Sequence, residues 1–408
     1  MLNNLQLQHY ADLAIKVGVN LQKGQKLNIN AQIECAHIVR VLAEAAYRAG
    51  ASEVLVNYAD EKLSRINYDH MSVEELEKVA QWVVDRSVYL VDNGFANISI
   101  AAGDPNIFAG VDPVKLQRAA QAKGKALKYY REAMMRNANR WLVISVPTEA
   151  WAKQVFPNEE KAVDKLWDAI AMTMRLNEKD PVAAWQKHIA TLTRRADFMN
   201  KQNFSYVHLK SKNGTDLKVG LAEGHIWCAA EEKAEDGVTF TANMPTEEIF
   251  TAPHRLRVDG VVHNALPLVE QGNVIDDFTI HFEKGRVTKF SAKKGYDALS
   301  NIINTDEGSH YLGEVALIGK NSPIAQSGIM FFNTLFDENA SCHLALGKGY
   351  PTNVKNGGSM TKEQLEAVGV NDSLEHCDFM IGTADMDVVG VTKDGKKVQL
   401  FVDGEWVI

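Results

Sequence analysis

The chain has 408 residues, 46% of them hydrophobic and 24% charged, with a formal net charge of -8. That length accommodates two domains with separate cores, and the composition is that of a globular protein rather than a disordered or fibrous one. The acidic balance argues against a nucleic-acid partner, which calls for a basic face. There is no run of about 18 apolar residues, so no membrane-spanning helix is expected.

In chain order, MLNNLQLQHYADLAIKVGVNLQKGQ reads as an amphipathic helix over Leu5–Leu21 closed at Gly24, and not as a signal peptide. Gln25–Ala31 alternates like a short strand. Cys35–Ala49 has helical spacing and stops at Gly50, and Glu53–Tyr58 is a second strand. Strand, helix and strand in this order make a βαβ unit, so the first part is expected to hold a mostly parallel sheet. Further strands are expected at Ala96–Ala101 and Trp141–Val146, with helices over roughly 73–85, 113–136 and 159–176. The βαβ unit carries neither G-x-G-x-x-G nor G-x-x-x-x-G-K-[ST], so it reads as a packed scaffold rather than a nucleotide site.

Lys179-Asp180-Pro181 marks a break, and a helix follows over Val182–Met199. Beyond it strands become frequent and turns tight, at Lys212-Asn213-Gly214, Glu283-Lys284-Gly285, Lys393-Asp394-Gly395 and Val402-Asp403-Gly404. Such turns between alternating apolar residues are hairpin signals. The expected fold class is therefore α/β. An N-terminal α/β domain (1–180) precedes a C-terminal α+β domain (181–408) rich in strands and hairpins.

Four short stretches in the second part combine acids and imidazoles with apolar frames. NMPTEEIFTAP places Glu247 and Glu248 at the entry to a strand; adjacent residues point to opposite faces, and on its own the pair reads as exposed. YLGEVALIG is apolar at nearly every position except Glu314, where an unpaired carboxylate would be costly without a metal, a cation or a proton. FDENASCHLALGKGY offers Asp337, Glu338, His343 and Tyr350; a loop is expected to bring the acids to the imidazole, and Gly347 and Gly349 free the chain to place Tyr350. In SLEHCDFMIG, His376 and Asp378 are two apart, so on a strand they share one face, while Cys377 points away. Carboxylates and neutral imidazoles suit zinc, manganese or cobalt. Glu248, Glu314, Glu338, His343, His376 and Asp378 are more than one zinc ion needs, and carboxylates able to bridge suit two divalent ions engaged in hydrolysis. His225, His254 and His310 read as packing or supporting histidines, and Lys348 as a solvated loop lysine. The four scattered cysteines, with no C-x-x-C, read as reduced thiols of a cytoplasmic protein. Two rivals stay open: a hydrolase of non-peptide amides on the same metals, and a binding protein with a structural ion.

In order and spacing, these four stretches resemble the signature of the thermophilic aminopeptidase family, the aminopeptidase T, S and II type of metallopeptidases. GQKLNIN…AYRAGASEVLV is similar to that family's opening, so the resemblance covers essentially the whole chain. It implies that Glu248, Glu314, Glu338, His343, His376 and Asp378 ligate two divalent ions, with Glu314 contacting both. It also implies that Tyr350 assists catalysis, that the substrates are peptides with a free amino terminus, and that the enzyme is a homodimer whose N-terminal domain closes over the site. Either Glu314 or Glu338 is expected to take the proton of the attacking water.

Overall fold

The computed structural model describes residues 2–270 and 273–408. Contacts divide the chain into two compact units: residues 1–187 with 231–245, and residues 188–230 with 246–408. The division runs inside the helix Pro181–Gln202.

The first unit is built on a four-stranded parallel sheet of β1 (Lys26–Gln32), β2 (Glu53–Ala59), β3 (Ala96–Ile100) and β4 (Trp141–Ile144), in the order β2-β1-β3-β4. The helix Ala36–Arg48 joins β1 to β2. It buries Ile38, Val39, Leu42, Ala45 and Ala46, a stripe of helical period, and gives way to Gly50 at φ 98°. The expected βαβ unit is present, but the helices around it differ in detail. The first helix is α over Asn4–Leu13 and widens to a π turn over Ala14–Gly18. The span expected at 73–85 is broken into Val73–Leu76 and Gln81–Asp92. Glu61–His70 is a helix that periodicity does not announce, because it buries no residue; Asp60 caps it by accepting the Leu63 N–H. The small strands β7 (Glu231–Lys233) and β8 (Thr239–Thr241) pair with each other.

The second unit holds two antiparallel sheets. The larger contains β5 (Phe204–Lys210), β6 (Asp216–Leu221), β10 (Pro253–His263), β11 (Leu268–Glu270), β12 (Asn273–Glu283), β13 (Arg286–Lys294), β17 (Asp387–Thr392), β18 (Lys397–Val402) and β19 (Glu405–Trp406). All four expected turns connect adjacent strands of this sheet: β5–β6, β12–β13, β17–β18 and β18–β19. At the second, Gly285 has φ 84°, and a Cβ there would lie 1.6 Å from the Arg255 carbonyl oxygen, so only glycine fits. The smaller sheet has the order β16-β15-β14-β9, from β9 (Ile249–Thr251), β14 (Leu312–Leu317), β15 (His343–Gly347) and β16 (His376–Met380). Every residue of β14 and β15 is buried. All four chemistry-bearing stretches of the sequence feed this sheet.

Candidate metal centre

The register of the smaller sheet decides which side chains meet. Glu314 of β14 lies opposite Ala345 of β15, and Ala345 lies opposite Asp378 of β16. Directly paired residues of antiparallel strands share a face, as do residues two apart on one strand. His343 and Ala345 therefore point to the same side as Glu314, and His376 joins Asp378. Ala316 pairs with Phe250 of β9, which puts Glu248, two residues before Phe250, on that side as well. Ala345, small and central, leaves room between the two carboxylates that flank it.

The atoms converge accordingly. His343 Nε2 is 3.2 Å from Glu248 Oε2, 3.5 Å from Glu314 Oε1 and 4.0 Å from Asp378 Oδ1. His376 Nε2 is 3.5 Å from Asp378 Oδ1 and 3.8 Å from Glu314 Oε2. Ligand-capable atoms of Glu248, Glu314 and His343 lie within 4.8 Å of one another, as do those of Glu314, His376 and Asp378. Glu314 belongs to both groups and turns one oxygen toward each imidazole.

Backbone carbonyls orient both imidazoles. His343 Nδ1 sits 2.8 Å from the Glu338 carbonyl oxygen, and His376 Nδ1 sits 2.7 Å from that of Lys348. Each Nδ1–H donates to its carbonyl, which leaves Nε2 facing the carboxylates, the arrangement expected of metal-ligating histidines. Lys348 thus matters through its backbone, while its side chain faces Asp372 at 3.8 Å. Close packing holds that backbone in place: a Cβ on Gly313 would lie 2.3 Å from the Lys348 carbonyl oxygen.

The electrostatics are those of a cation site. Burial pushes the Glu314 carboxyl up to about 7, with the charges of Asp378 and Glu248 adding to the rise. Burial opposes charge on both imidazoles, yet the surrounding carboxylates raise His376 to about 10 and His343 well above its usual range. Burial also works against ionised Asp378, but His376 and His343 outweigh it and hold Asp378 below its usual value. Protons on the imidazoles therefore balance the carboxylates, and binding of a cation would displace them. The residues fit divalent ions on a further count. Among the described residues, no hydrogen bond is assigned to the buried Glu248 Oε2, although His343 Nε2 lies 3.2 Å away. A carboxylate oxygen left so is costly unless a cation meets it.

The remaining expected residues are placed as follows. Glu338 lies outside both groups, half-buried, in the 3-10 turn Glu338–Ala340. Burial raises its carboxyl well above the usual range, and the charges of Asp378 and Glu248 contribute. Tyr350 sets its ring edge-on to His376, with centroids 5.0 Å apart, and to Phe250 at 6.2 Å. Burial, then the charges of Glu314 and Asp378, keep its phenol protonated far above neutrality.

One expectation needs correction. Glu247 and Glu248 are not an exposed pair: they are 6% and 7% exposed, with Glu248 in the cluster and Glu247 Oε2 3.5 Å from His188 Nε2. A short connection does lead from the acids to His343: the helix Thr334–Asp337 ends at them, and the 3-10 turn Glu338–Ala340 with the bend at Ser341 runs into β15.

Asp337 is not part of the cluster. Its carboxylate accepts the N–H groups of Phe331 at 2.8 Å and Asn333 at 2.9 Å. Burial outweighs these donors and pushes it from 3.8 to about 7. Between those values the folded chain holds a proton that the unfolded chain has lost, so stability falls as pH rises and the loss is complete above about 7. An amide in its place would titrate nothing. In metal-free protein, Asp337→Asn should flatten the pH dependence of Tm relative to wild type between pH 5 and 8, by a shift equivalent to a few kcal/mol. Parallel Tm profiles for the two proteins would show that Asp337 titrates as in water.

Sequence reasoning missed the Glu338 and Lys348 carbonyls, the buried amide of Asn339 and the role of Gly313. Only the glycine-rich texture of the GKGY and YLGEV stretches hints at the close backbone approach.

Residues 3–406 match the family described as thermophilic metalloprotease (M29). The chain is 45% identical over 403 residues to aminopeptidase 2 of Geobacillus stearothermophilus, covering 98% of this chain and 97% of that one. It is 42% identical over 402 residues to aminopeptidase AmpS of Bacillus subtilis, covering 98% of each. The solved structure of wild-type AmpT from Thermus thermophilus superposes with a TM-score of 0.93 at 40% identity, covering 99% of both chains. With a family match over nearly its whole length and full-length relatives named as aminopeptidases, the chain belongs to the thermophilic metalloprotease (M29) family and is a metalloaminopeptidase.

Proposed function

We propose that this enzyme removes residues one at a time from the free amino terminus of peptides, using two divalent ions, zinc, cobalt or manganese. Glu248, Glu314 and His343 would hold one ion, and Glu314, His376 and Asp378 the other. The observation that carries this reading is the pair of ligand groups joined through Glu314. Two such ions would supply an activated water, a polarised scissile carbonyl and an anchor for the substrate's α-amine.

The chain's own residues do the rest. Glu314, with one oxygen turned to each imidazole, is committed to holding. Glu338, outside both groups and with a raised affinity for protons, takes the proton of the attacking water and passes it to the leaving amine. Tyr350 remains a phenol and donates its O–H to the oxyanion of the tetrahedral intermediate. Tyr350→Phe should lower kcat by about a hundredfold or more with little change in metal content, the usual scale for one oxyanion donor. An unchanged kcat would reduce Tyr350 to packing. The four cysteines are all free thiols, which supports a reducing compartment, the cytoplasm. We also infer a homodimer, from the family resemblance.

The testing experiment is metal analysis of the purified protein beside a panel of amino-acid amides and anilides. Prolonged chelation should abolish turnover, and zinc, cobalt or manganese should restore it. Full activity in excess chelator would overturn the metal assignment. A chain that unfolds on chelation would point to a closed structural site instead.

A further inference from the structure

We propose that Asn339 is a positioning residue that ties the Glu248 segment to the Glu338 segment and so sets the geometry of one ion site. The inference rests on the ligand reading above. Asn339 is completely buried. Its Oδ1 accepts the Glu247 N–H at 2.7 Å, and its Nδ2 donates to the Leu335 carbonyl at 3.1 Å and reaches Glu338 Oε1 at 3.5 Å. The amide orientation follows from these partners: a backbone N–H can only meet the oxygen, and a carbonyl can only meet the nitrogen. One side chain thus spans two segments that lie 92 residues apart in sequence.

The Glu248 segment is held from its other side too. His188 Nε2 sits 2.8 Å from the Thr246 carbonyl oxygen. Glu248 therefore follows a residue whose backbone is fixed by Asn339 and whose predecessor is fixed by His188. Among the described residues, Glu314, His376 and Asp378 share no hydrogen bond with Asn339: strand pairing sets their backbones, and the Lys348 carbonyl orients His376. The two ligand groups thus depend on Asn339 unequally, and this inequality separates positioning from general packing.

The test titrates the metal-free, full-length chain with zinc against a competing chelator, and follows the visible spectrum of cobalt bound in the same chain. Asn339→Ala should weaken one of the two ions by about 10–100-fold, the usual scale for losing a group that orients a ligand, and leave the other unchanged. Glu248→Gln should weaken the same ion, and the cobalt spectrum should change for that ion alone. If the alanine variant does not fold, Asn339→Ser, too short to reach Glu247, carries the same expectation. Asn97→Ala, at a buried asparagine of the first unit bonded to Asn28 and the Phe95 carbonyl, should cost stability and leave both affinities alone.

Unchanged affinities in the Asn339 variants, with Glu248→Gln still weakening an ion, would overturn the positioning role and leave the ligand reading intact. Equal weakening of both ions would overturn it as well, in favour of general loosening. An affinity indifferent to Glu248→Gln would overturn the ligand assignment itself, and the positioning role with it.

Discussion

Glu314→Gln should lower kcat by about a thousandfold or more while the chain still folds. Glu314 is 5% exposed in the middle of β14, so glutamine fills the same space among the same neighbours. What is lost is the charge. Both ligand groups contain this carboxylate, and each of its oxygens faces a different imidazole. An amide offers one weak oxygen ligand, and its nitrogen is a donor that repels a cation. Metal charge stabilisation amounts to several kcal/mol of barrier, which converts to the stated rate loss. The metal-free variant gives an independent check. Burial raises the Glu314 carboxyl to about 7, so its ionisation above that pH destabilises metal-free wild type, and glutamine removes the cost. Metal-free Glu314→Gln should therefore melt no lower than metal-free wild type at pH 8, while binding less zinc. A variant with kcat near wild type would make Glu314 a tolerated buried acid.

Acetylating the substrate's amino terminus should abolish turnover, a loss of about a thousandfold or more if the amine supplies several kcal/mol of positioning. Glu248, Glu314, Glu338 and Asp378 act on one another across one buried cluster. With two divalent ions bound, their charges would offset these carboxylates, and an ion would anchor the neutral α-amine through a lone pair that an N-acetyl group does not offer. Fixing the first residue by its amine fixes the carbonyl next to it, and each cut exposes a new amine for the next round. A short peptide and its N-acetylated twin, followed by mass, decide the matter. Sequential loss from the amino end, with the twin intact, is expected. Equal rates on both, or internal cleavage, would reassign the enzyme as a general amidase or an endopeptidase.

What could be read along the chain was whatever depends on a few neighbouring residues. The period of two placed His376 and Asp378 on one face of a strand, and they share one on β16. Gly-terminated turns announced four hairpins, because a positive φ at the turn is a local demand. A lone acid in the apolar YLGEVALIG run marked Glu314, since burying a carboxylate needs a partner wherever the strand lies. The helix Glu61–His70 escaped because it buries no stripe, and the buried Glu247 escaped because its partner, His188, is 59 residues away in sequence. Tertiary structure alone decided the rest. Strand register lined up Glu314, Ala345 and Asp378 across β14, β15 and β16, and a slip of one residue would have turned each strand's set to the other face. Backbone carbonyls of Glu338 and Lys348, invisible in a sequence of side chains, chose which imidazole nitrogen faces the carboxylates. The fold likewise left Glu338 outside both ligand groups and set Asn339 between two distant segments. Periodicity is a property of adjacent residues; register, and the approach of one backbone to another, belong to the packed chain.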